Sequence, residues 1–268
     1  MGESIPNSES DLELYQTKFD PKTYLGYCYQ FAETSGQKDN SRFVTFVLCQ
    51  LSKTFSTGKF RGQRLIEVGT GPTIHTLISA CEYFEEIVVS DYVDSNREEI
   101  ERWLTAKDGC FDWNAHIQFV CDLEGKRTPA VVSETIRQRV KQVLKCDICL
   151  ENPFAPVTVE PADCVVSSLC LEAACKDRDS YRRSLRAMVG LMGPRGVLVL
   201  IGDLDETFYT VGEQKFLCVS LSQEFIQETL SELGLTVLEF TLQPAQDRNQ
   251  NHKCDYEASF HLIARKNV

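Results

Sequence analysis

Short apolar segments alternate with helical patterns along most of this chain, and that alternation constrains the fold more than any other feature. Five segments have the composition of buried strands: residues 64–69, 86–91, 143–148, 162–170 and 196–204. Residues 236–242 and 260–266 have the pattern of two closing strands. Strands that alternate with helices form a mostly parallel sheet with helices on both faces. The sequence therefore predicts an α/β fold, with an antiparallel edge formed by the closing strands.

Capping signals predict where several helices begin and end. The motif Ser95-x-x-Glu98 has the form of a capping box at the start of a helix. Gly193 follows a helical pattern over residues 179–192, and glycine in that place is typical of a helix end. Residues 114–143 are mostly helical by pattern.

Length and charge exclude several classes of protein. A chain of 268 residues is long enough for one large α/β domain. Its 39 acidic and 28 basic residues leave a net charge of −11, which repels nucleic acid and anionic membrane surfaces. No apolar run approaches the roughly 20 residues that a membrane span needs, and the first twenty residues do not resemble a signal peptide. We expect a cytoplasmic protein with neither nucleic acid nor membrane as a partner.

The twelve cysteines are scattered, and two spacings resemble parts of a metal site. These are Cys146-x-x-Cys149 and the pair Cys170 and Cys175. No second CxxC or HxxxH pair completes a zinc site, so we predict no metal. In a protein without a secretory leader the thiols are expected to be reduced.

The first predicted strand ends in the motif Glu67-x-Gly69-x-Gly71, which is followed by Pro72. A pyrophosphate cradle needs several free backbone N–H groups at the start of a helix, and Pro72 removes one of them. A third glycine and a Walker lysine are both missing from the loop. The loop therefore favours a ligand without phosphate, which argues against an NAD-dependent enzyme.

Two acids at later strand ends suggest what that ligand is. Asp91 follows Gly69 at about the distance at which an acid accepts both ribose hydroxyls of a nucleotide. Asp147 ends the third predicted strand, where it is placed to accept the exocyclic amine of a purine. Adenosine without phosphate is the recognised part of S-adenosylmethionine, which we predict as the cofactor.

Longer segments resemble the family of nicotinamide, indolethylamine and phenylethanolamine N-methyltransferases. They are GPTI, SACEYFEEIVVSDY, REEIERWL, DLEG, VKQVLKCDI, PADCVVSSLCLEAAC and VGEQKF. The resemblance runs from about Phe19 to Lys266. It implies a class I, Rossmann-like methyltransferase with seven strands, the last antiparallel, in a cytosolic enzyme that is usually monomeric. One domain, 1–268, would comprise a polar lead (1–20), a helical lid (19–60) and the core (61–268).

The resemblance also implies a set of cofactor-binding residues. They are Tyr24, Tyr29, Gly69, Thr70, Gly71, Thr73, Asp91, Tyr92, Asn96, Asp147, Ile148 and Ser168. Electron-rich tyrosine faces in the lid attract a sulfonium cation. His75 stands where relatives often have tyrosine, and we assign it no catalytic role.

The acceptor side implied by the resemblance comprises Tyr24, Asp203, Glu206, Tyr209 and Asp255. A gap-free count back from Tyr209 places Glu206 where the phenylethanolamine enzyme has an acid that faces the substrate amine. The same count places Gly202 where the nicotinamide enzyme has its amide-binding aspartate, and a shift of one residue restores Asp203. Asp255 is also shifted by one from another amine-facing acid. Both registers stay open at this point.

The first functional prediction is methyl transfer to the ring nitrogen of nicotinamide or a related pyridine. Asp203 would orient the amide, and Tyr24 with Tyr209 would enclose the ring. An arylalkylamine acceptor is the alternative, and Glu206 would then take a proton from the amine. The motif VGEQKF favours nicotinamide, whereas the acidic run from Asp203 to Glu206 favours an amine. A non-catalytic protein that binds S-adenosylmethionine is the third possibility.

Overall fold

The computed structural model describes residues 11–30, 38–245 and 253–267. The strands are β1 Gly62–Val68, β2 Phe84–Asp91, β3 Val140–Lys145, β4 Ala162–Ser168, β5 Met192–Leu204, β6 Phe208–Val211, β7 Gln214–Leu217, β8 Leu235–Pro244 and β9 Ala258–Lys266. Seven of them form one sheet in the order β3-β2-β1-β4-β5-β9-β8, and β6 pairs with β7 as a separate hairpin. The pairs among β1 to β5 are parallel, and β9 is antiparallel to both β5 and β8. The α/β prediction, with antiparallel pairing at one edge, is confirmed.

Helices cover both faces of this sheet. They are α1 Asp11–Lys18, α2 Pro21–Cys28, α3 Lys38–Phe55, α4 Leu77–Ala80, α5 Asp94–Leu104, α6 Asn114–Glu124, α7 Pro129–Arg139, α8 Leu171–Ala174, α9 Arg178–Gly190 and α10 Gln223–Glu232. At the start of α2, Pro21 occupies the first turn, and the Asp20 carboxylate accepts a 2.6 Å hydrogen bond from the Thr23 N–H. Among the described residues, none of the helices has the length and apolar character needed to cross a bilayer.

The sheet separates two apolar cores, because successive strand residues point to opposite faces. Leu65 packs into the core that contains the apolar face of α3 and helices α4 to α7, whereas its neighbour Ile66 packs into the core that contains α9 and α10. Both side chains have 0% exposure. This burial on both faces explains the continuous apolar runs of the central strands and holds their carboxyl ends in fixed positions.

Three predicted boundaries are wrong, and the sheet explains two of them. Residues 140–143 are strand rather than helix, because β3 pairs with β2 from Val140 onward. The helix predicted over residues 179–192 ends at Gly190. Gly193 lies within β5, because β5 begins at Met192, which pairs with Ala162 of β4. Helical patterning is a local signal, and strand pairing overrides it.

The third error is the capping box at Ser95 and Glu98. Helix α5 begins at Asp94, its N-cap residue is Val93, and no side chain caps it. The Asp91 carboxylate accepts a hydrogen bond from the Val93 N–H, which fixes the turn between β2 and α5. The helix therefore begins before the predicted box.

Candidate active site

A single cavity lies beyond the carboxyl ends of β1 to β5, where ligands bind in open α/β sheets. Helices α1 and α2 and the β6–β7 hairpin contribute to its wall on the other side. The wall includes the sequence-predicted residues Tyr24, Tyr29, Gly69, Thr70, Gly71, Thr73, Asp91, Tyr92, Asn96, Asp147, Ile148, Ser168, Asp203, Glu206 and Tyr209. Residues that are distant in the sequence are therefore brought together as predicted, with the exception of Asp255.

The glycine loop after β1 has a conformation that requires its glycines. Gly69 has φ +68°, and an added Cβ would lie 2.1 Å from the Cys170 sulfur. Two reciprocal bonds close the turn: the Thr70 hydroxyl donates to the Thr73 carbonyl at 3.0 Å, and the Thr73 hydroxyl donates to the Thr70 carbonyl at 2.8 Å. These bonds fix the conformation of the loop.

Asp91 ends β2 beside this loop and is only 7% exposed. Its carboxylate accepts hydrogen bonds from the Gly71 N–H at 2.8 Å, the Val93 N–H at 2.9 Å and the Asn96 amide at 3.0 Å. Burial raises the pKa of Asp91, while these donors oppose the shift. Two carboxylate oxygens have about four lone-pair sites, so acceptor capacity remains for a hydroxyl in the cavity.

Asp147 and Ile148 follow β3 in a loop with two hydrogen bonds of its own. The Cys149 N–H donates to the Asp147 carboxylate at 3.0 Å, and the Asp147 N–H donates to the Pro153 carbonyl at 2.9 Å. The Ile148 side chain is 4% exposed. An acid beside an apolar wall is suited to a purine ring with an exocyclic amine.

Tyrosines of α2 and its C-terminus form the lid side of the cavity. The ring centroids of Tyr24 and Tyr29 lie 5.7 Å apart, and those of Tyr29 and His75 lie 5.1 Å apart. His75 is bonded to the Thr73 hydroxyl at 2.9 Å, and burial lowers its pKa to about 3. A neutral His75 therefore contacts both Tyr29 of the lid and Thr73 of the glycine loop. It occupies the position at which relatives often have tyrosine.

Several buried polar atoms of the cavity wall lack a hydrogen-bond partner within the described part of the chain. They include His75 Nε2, Asn96 Oδ1 and Ser168 Oγ. Buried polar groups in proteins are normally satisfied, so orphaned atoms that line one cavity indicate a polar ligand. These residues fit the adenosine and methionine parts of S-adenosylmethionine.

Three buried carboxyl groups line the cavity near one another: Glu172 on α8, Asp203 on β5 and Glu206 in the following loop. The Asp203 carboxylate accepts a 2.6 Å hydrogen bond from the Ser259 hydroxyl, and its backbone N–H donates to Glu172 at 3.3 Å. Burial raises the pKa of Glu172 to about 8 and that of Asp203 to about 7. Burial, followed by the charges of Asp203 and Glu172, also raises the pKa of Glu206 well above its usual value.

The structure bears on the register that the sequence left open. A Cβ added to Gly202 would lie 2.7 Å from a Glu172 carboxyl oxygen and 2.8 Å from the Phe260 ring. An aspartate does not fit at Gly202 beside these two side chains, whereas Asp203 lines the cavity itself.

Asp255 is placed differently from its prediction. It is not part of the cavity wall. Its carboxylate accepts hydrogen bonds from the Thr207 N–H at 2.7 Å, the Thr207 hydroxyl at 2.5 Å and the Phe208 N–H at 3.3 Å. Asp255 therefore holds the base of the β6–β7 hairpin, and direct contact with an acceptor amine is not supported.

The sequence analysis missed other residues of the wall. They include Tyr15, Phe19, Tyr27, Cys170, Glu172, Cys218, Cys254 and Tyr256. Glu172 was within reach, because it follows β4 at the same sheet edge as the acids that were predicted. No sequence pattern indicates that Tyr15 lines the cavity, because it lies in the segment predicted to be a polar lead. It reaches the cavity because α1 packs against the β6–β7 hairpin.

Comparisons with known proteins identify the family of the chain. The chain matches the sequence profile of the NNMT/PNMT/TEMT family over residues 9–267. It is 40% identical to human nicotinamide N-methyltransferase, over 95% of each chain. It is also 40% identical to indolethylamine N-methyltransferase of Oryctolagus cuniculus, over 86% of this chain and 87% of that relative. A Synechocystis magnesium protoporphyrin IX methyltransferase with bound S-adenosylhomocysteine shares the fold, with TM-score 0.60 and 11% identity over 96% of this chain and 100% of that one.

The fold and the cavity together define an S-adenosylmethionine-dependent methyltransferase. Within that class, the chain belongs to the NNMT/PNMT/TEMT family of N-methyltransferases. Its cofactor is S-adenosylmethionine, as the glycine loop, Asp91 and Asp147 predicted.

Proposed function

We propose that this enzyme methylates the side-chain nitrogen of an arylalkylamine. The observation that carries the proposal is the group of three buried carboxyls, Glu172, Asp203 and Glu206, at the acceptor end of the cavity. A buried carboxylate is costly unless a positive charge or hydrogen-bond donors accompany it. An ammonium group supplies both, whereas neutral nicotinamide supplies hydrogen-bond donors from its carboxamide but no positive charge.

Aromatic rings beside these carboxyls suit the aryl part of such an acceptor. Tyr15 and Phe19 of the lid and Tyr209 of the hairpin line the same cavity. The Tyr15 hydroxyl is 2.9 Å from the Tyr209 hydroxyl, and Phe19 lies 5.1 Å from Tyr24. The proposed acceptor therefore places its ring among these side chains and its nitrogen among the carboxyls.

The residues of the chain would divide the work between two ends of the cavity. When bound, S-adenosylmethionine supplies an electrophilic methyl group on a positively charged sulfur. We assign the ribose to Asp91, the adenine to Asn96, Asp147 and Ile148, and the methionine end to Tyr29. Orientation of two reactants by binding can supply roughly 7–11 kcal/mol of the barrier.

The carboxyls would also handle the proton of the amine. An alkylamine is mostly protonated at neutral pH and must lose a proton before it can accept a methyl group. An incoming ammonium favours ionisation of the carboxyls opposite it, and an ionised carboxylate can accept a proton from the amine. We assign that role to Glu206, with Glu172 and Asp203 holding the cation.

Nicotinamide remains the second candidate acceptor. The motif VGEQKF forms the β6–β7 hairpin, with Val211 paired to Gln214 around a two-residue turn. One of the most similar relatives is named nicotinamide N-methyltransferase. With nicotinamide as the acceptor, the Asp203 carboxylate, which is held by the Ser259 hydroxyl, would accept a hydrogen bond from the carboxamide N–H.

The test is methyl transfer from labelled S-adenosylmethionine to tryptamine, phenylethanolamine, nicotinamide and quinoline, each supplied separately. The proposal expects label on the amines, and a large loss of that label in Glu206→Gln. Glu228→Gln, an exposed charge on α10, is the matched control and should keep full activity.

Other outcomes would redirect the assignment. Label on nicotinamide and quinoline alone would overturn the amine proposal and support the pyridine acceptor. Cofactor binding by calorimetry, with no label on any of the four compounds, would support a binding protein without this activity.

A further inference from the structure

Two cysteines from the spacings noted in the sequence meet in the structure. Cys149 lies in the loop after β3, and Cys175 ends α8. The Cys149 sulfur is 3.3 Å from the Ala174 carbonyl oxygen and 3.9 Å from the Ser184 hydroxyl oxygen. The Cys149 sulfur thus lies against the residue that directly precedes Cys175, and the two thiols lie near enough to shift each other's pKa. Each spacing thus contributes one cysteine to a pair that neither spacing predicts.

The two thiols differ in the way that a redox-active pair requires. Cys149 is exposed, whereas Cys175 is buried beneath it with 5% exposure. The neighbouring Cys175 lowers the pKa of Cys149 below its usual value; burial opposes this shift and Ser184 adds to it, while the pKa of Cys175 is raised. An accessible thiolate beside a buried second thiol is the usual arrangement of a cysteine that reacts and a cysteine that resolves. In the described residues no cluster of three or more potential metal ligands forms.

We propose that Cys149 and Cys175 form a reversible disulfide when the protein meets a low-molecular-weight disulfide such as oxidised glutathione. The Cys149 thiolate attacks one sulfur of the oxidant and displaces one thiolate. The Cys175 thiol then attacks the Cys149 sulfur, displaces the second thiolate and gives up its proton to it. In balance, two protein thiols are oxidised and one small disulfide is reduced to two thiols.

This bond would act on the cofactor end of the active site. The Cys149 N–H donates to the Asp147 carboxylate at 3.0 Å, and α8 carries Glu172. A disulfide requires closer approach of the two sulfurs than a hydrogen bond does, so it draws the Asp147 loop toward α8. The consequence for the cofactor rests on the proposed adenine contact of Asp147, whereas formation of the disulfide does not.

The first experiment maps the oxidation. The full chain is incubated with oxidised glutathione, its free thiols are alkylated, and peptides are analysed by mass spectrometry. We expect one Cys149–Cys175 cross-link, reversible by dithiothreitol. Cys175→Ser should trap glutathione on Cys149, Cys149→Ser should abolish the cross-link, and Cys49→Ser, on α3, should leave it intact. Cross-links between other cysteines with this pair still reduced, or no glutathione on Cys149 in Cys175→Ser, would overturn the proposal.

The second experiment measures cofactor binding to reduced and oxidised protein by calorimetry. Oxidation should raise the dissociation constant of S-adenosylhomocysteine about two- to tenfold, the equivalent of one ordinary hydrogen bond. The Cys149→Ser variant should bind equally well under both conditions. Equal affinity of fully cross-linked and reduced protein would overturn the coupling to the active site. No binding by the reduced protein would instead contradict the proposed cofactor contacts, and the mapped cross-link would stand.

Discussion

At the scale of single residues, this protein prepares both ends of its cavity before any ligand arrives. Asp91 is fixed by three donors, of which two are backbone N–H groups and one is the Asn96 amide. Asp203 is fixed by the Ser259 hydroxyl on the neighbouring strand. Groups held in this way lose little freedom on binding, which is why preorganised sites bind tightly.

Removal of the Asp91 carboxylate should weaken the cofactor specifically. We expect Asp91→Ala to raise the dissociation constant of S-adenosylmethionine about tenfold or more, because a hydrogen bond to a charged group is worth roughly 1.5–3 kcal/mol. Isothermal calorimetry measures this directly. Asp108→Ala, at an exposed position, is the control and should bind normally. Unchanged affinity in Asp91→Ala would remove this residue from the site.

The buried Glu172 should make stability depend on pH in a defined direction. Burial raises its pKa from 4.5 to about 8 in the folded chain. Between these values the folded chain keeps a proton that the unfolded chain releases, so the free energy of unfolding should fall as the pH rises through this range. In Glu172→Gln the fall should be shallower, by on the order of a few kcal/mol in total.

Urea unfolding at several pH values measures this effect. Glu228→Gln is the control and should follow the original protein. Parallel curves for the original protein and Glu172→Gln would show that the carboxyl does not keep a proton in the folded state.

At the scale of elements, α1 and the β6–β7 hairpin cover the acceptor end together. Phe216 of the hairpin is fully buried. The centroid of its ring lies 4.6 Å from that of Tyr15 and 5.8 Å from that of Phe19. The Tyr15 and Tyr209 hydroxyls form a hydrogen bond between the two elements. Tyr15 and Phe19, in the segment interpreted from its sequence as a polar lead, thus line the cavity and pack against the hairpin.

Loss of that hydrogen bond should affect the acceptor more than the cofactor. We expect Tyr15→Phe to raise the KM for the acceptor about two- to tenfold, with the cofactor dissociation constant unchanged. Tyr83→Phe is a matched control, because its hydroxyl bonds to the Ser56 carbonyl away from the cavity. An unaltered acceptor KM in Tyr15→Phe would mean that packing of the rings alone closes the pocket.

At the scale of the whole molecule, the cavity joins segments that are far apart in the sequence, from Tyr15 to Tyr256. Its wall draws on the lid, on the ends of five strands and on the loop that contains Lys253 to Tyr256. A ligand bound to such a site stabilises the entire folded chain, since it binds the folded state and not the unfolded one.

S-adenosylhomocysteine should therefore raise the melting temperature. At a hundredfold excess over its dissociation constant the gain is about 2.7 kcal/mol, and scanning calorimetry measures it. NAD should have no effect, because Pro72 removes one backbone N–H donor of the loop and the third glycine of a pyrophosphate cradle is missing. A stabilisation by NAD equal to that by S-adenosylhomocysteine would contradict the assignment of the loop.

The sequence by itself determined the class of fold, the cofactor and the residues of the cofactor loop. Those properties depend on local patterns: apolar runs, glycines at a turn, and acids at strand ends that a parallel sheet must bring to one edge. Tertiary structure alone decided the rest. Helix limits near Val140 and Gly193 followed strand pairing, Asp255 bonds to the base of the hairpin, and Tyr15 lines the cavity only because of the way α1 packs. The pairing of Cys149 with Cys175 has the same origin, because contacts between distant segments leave no periodic trace in the sequence.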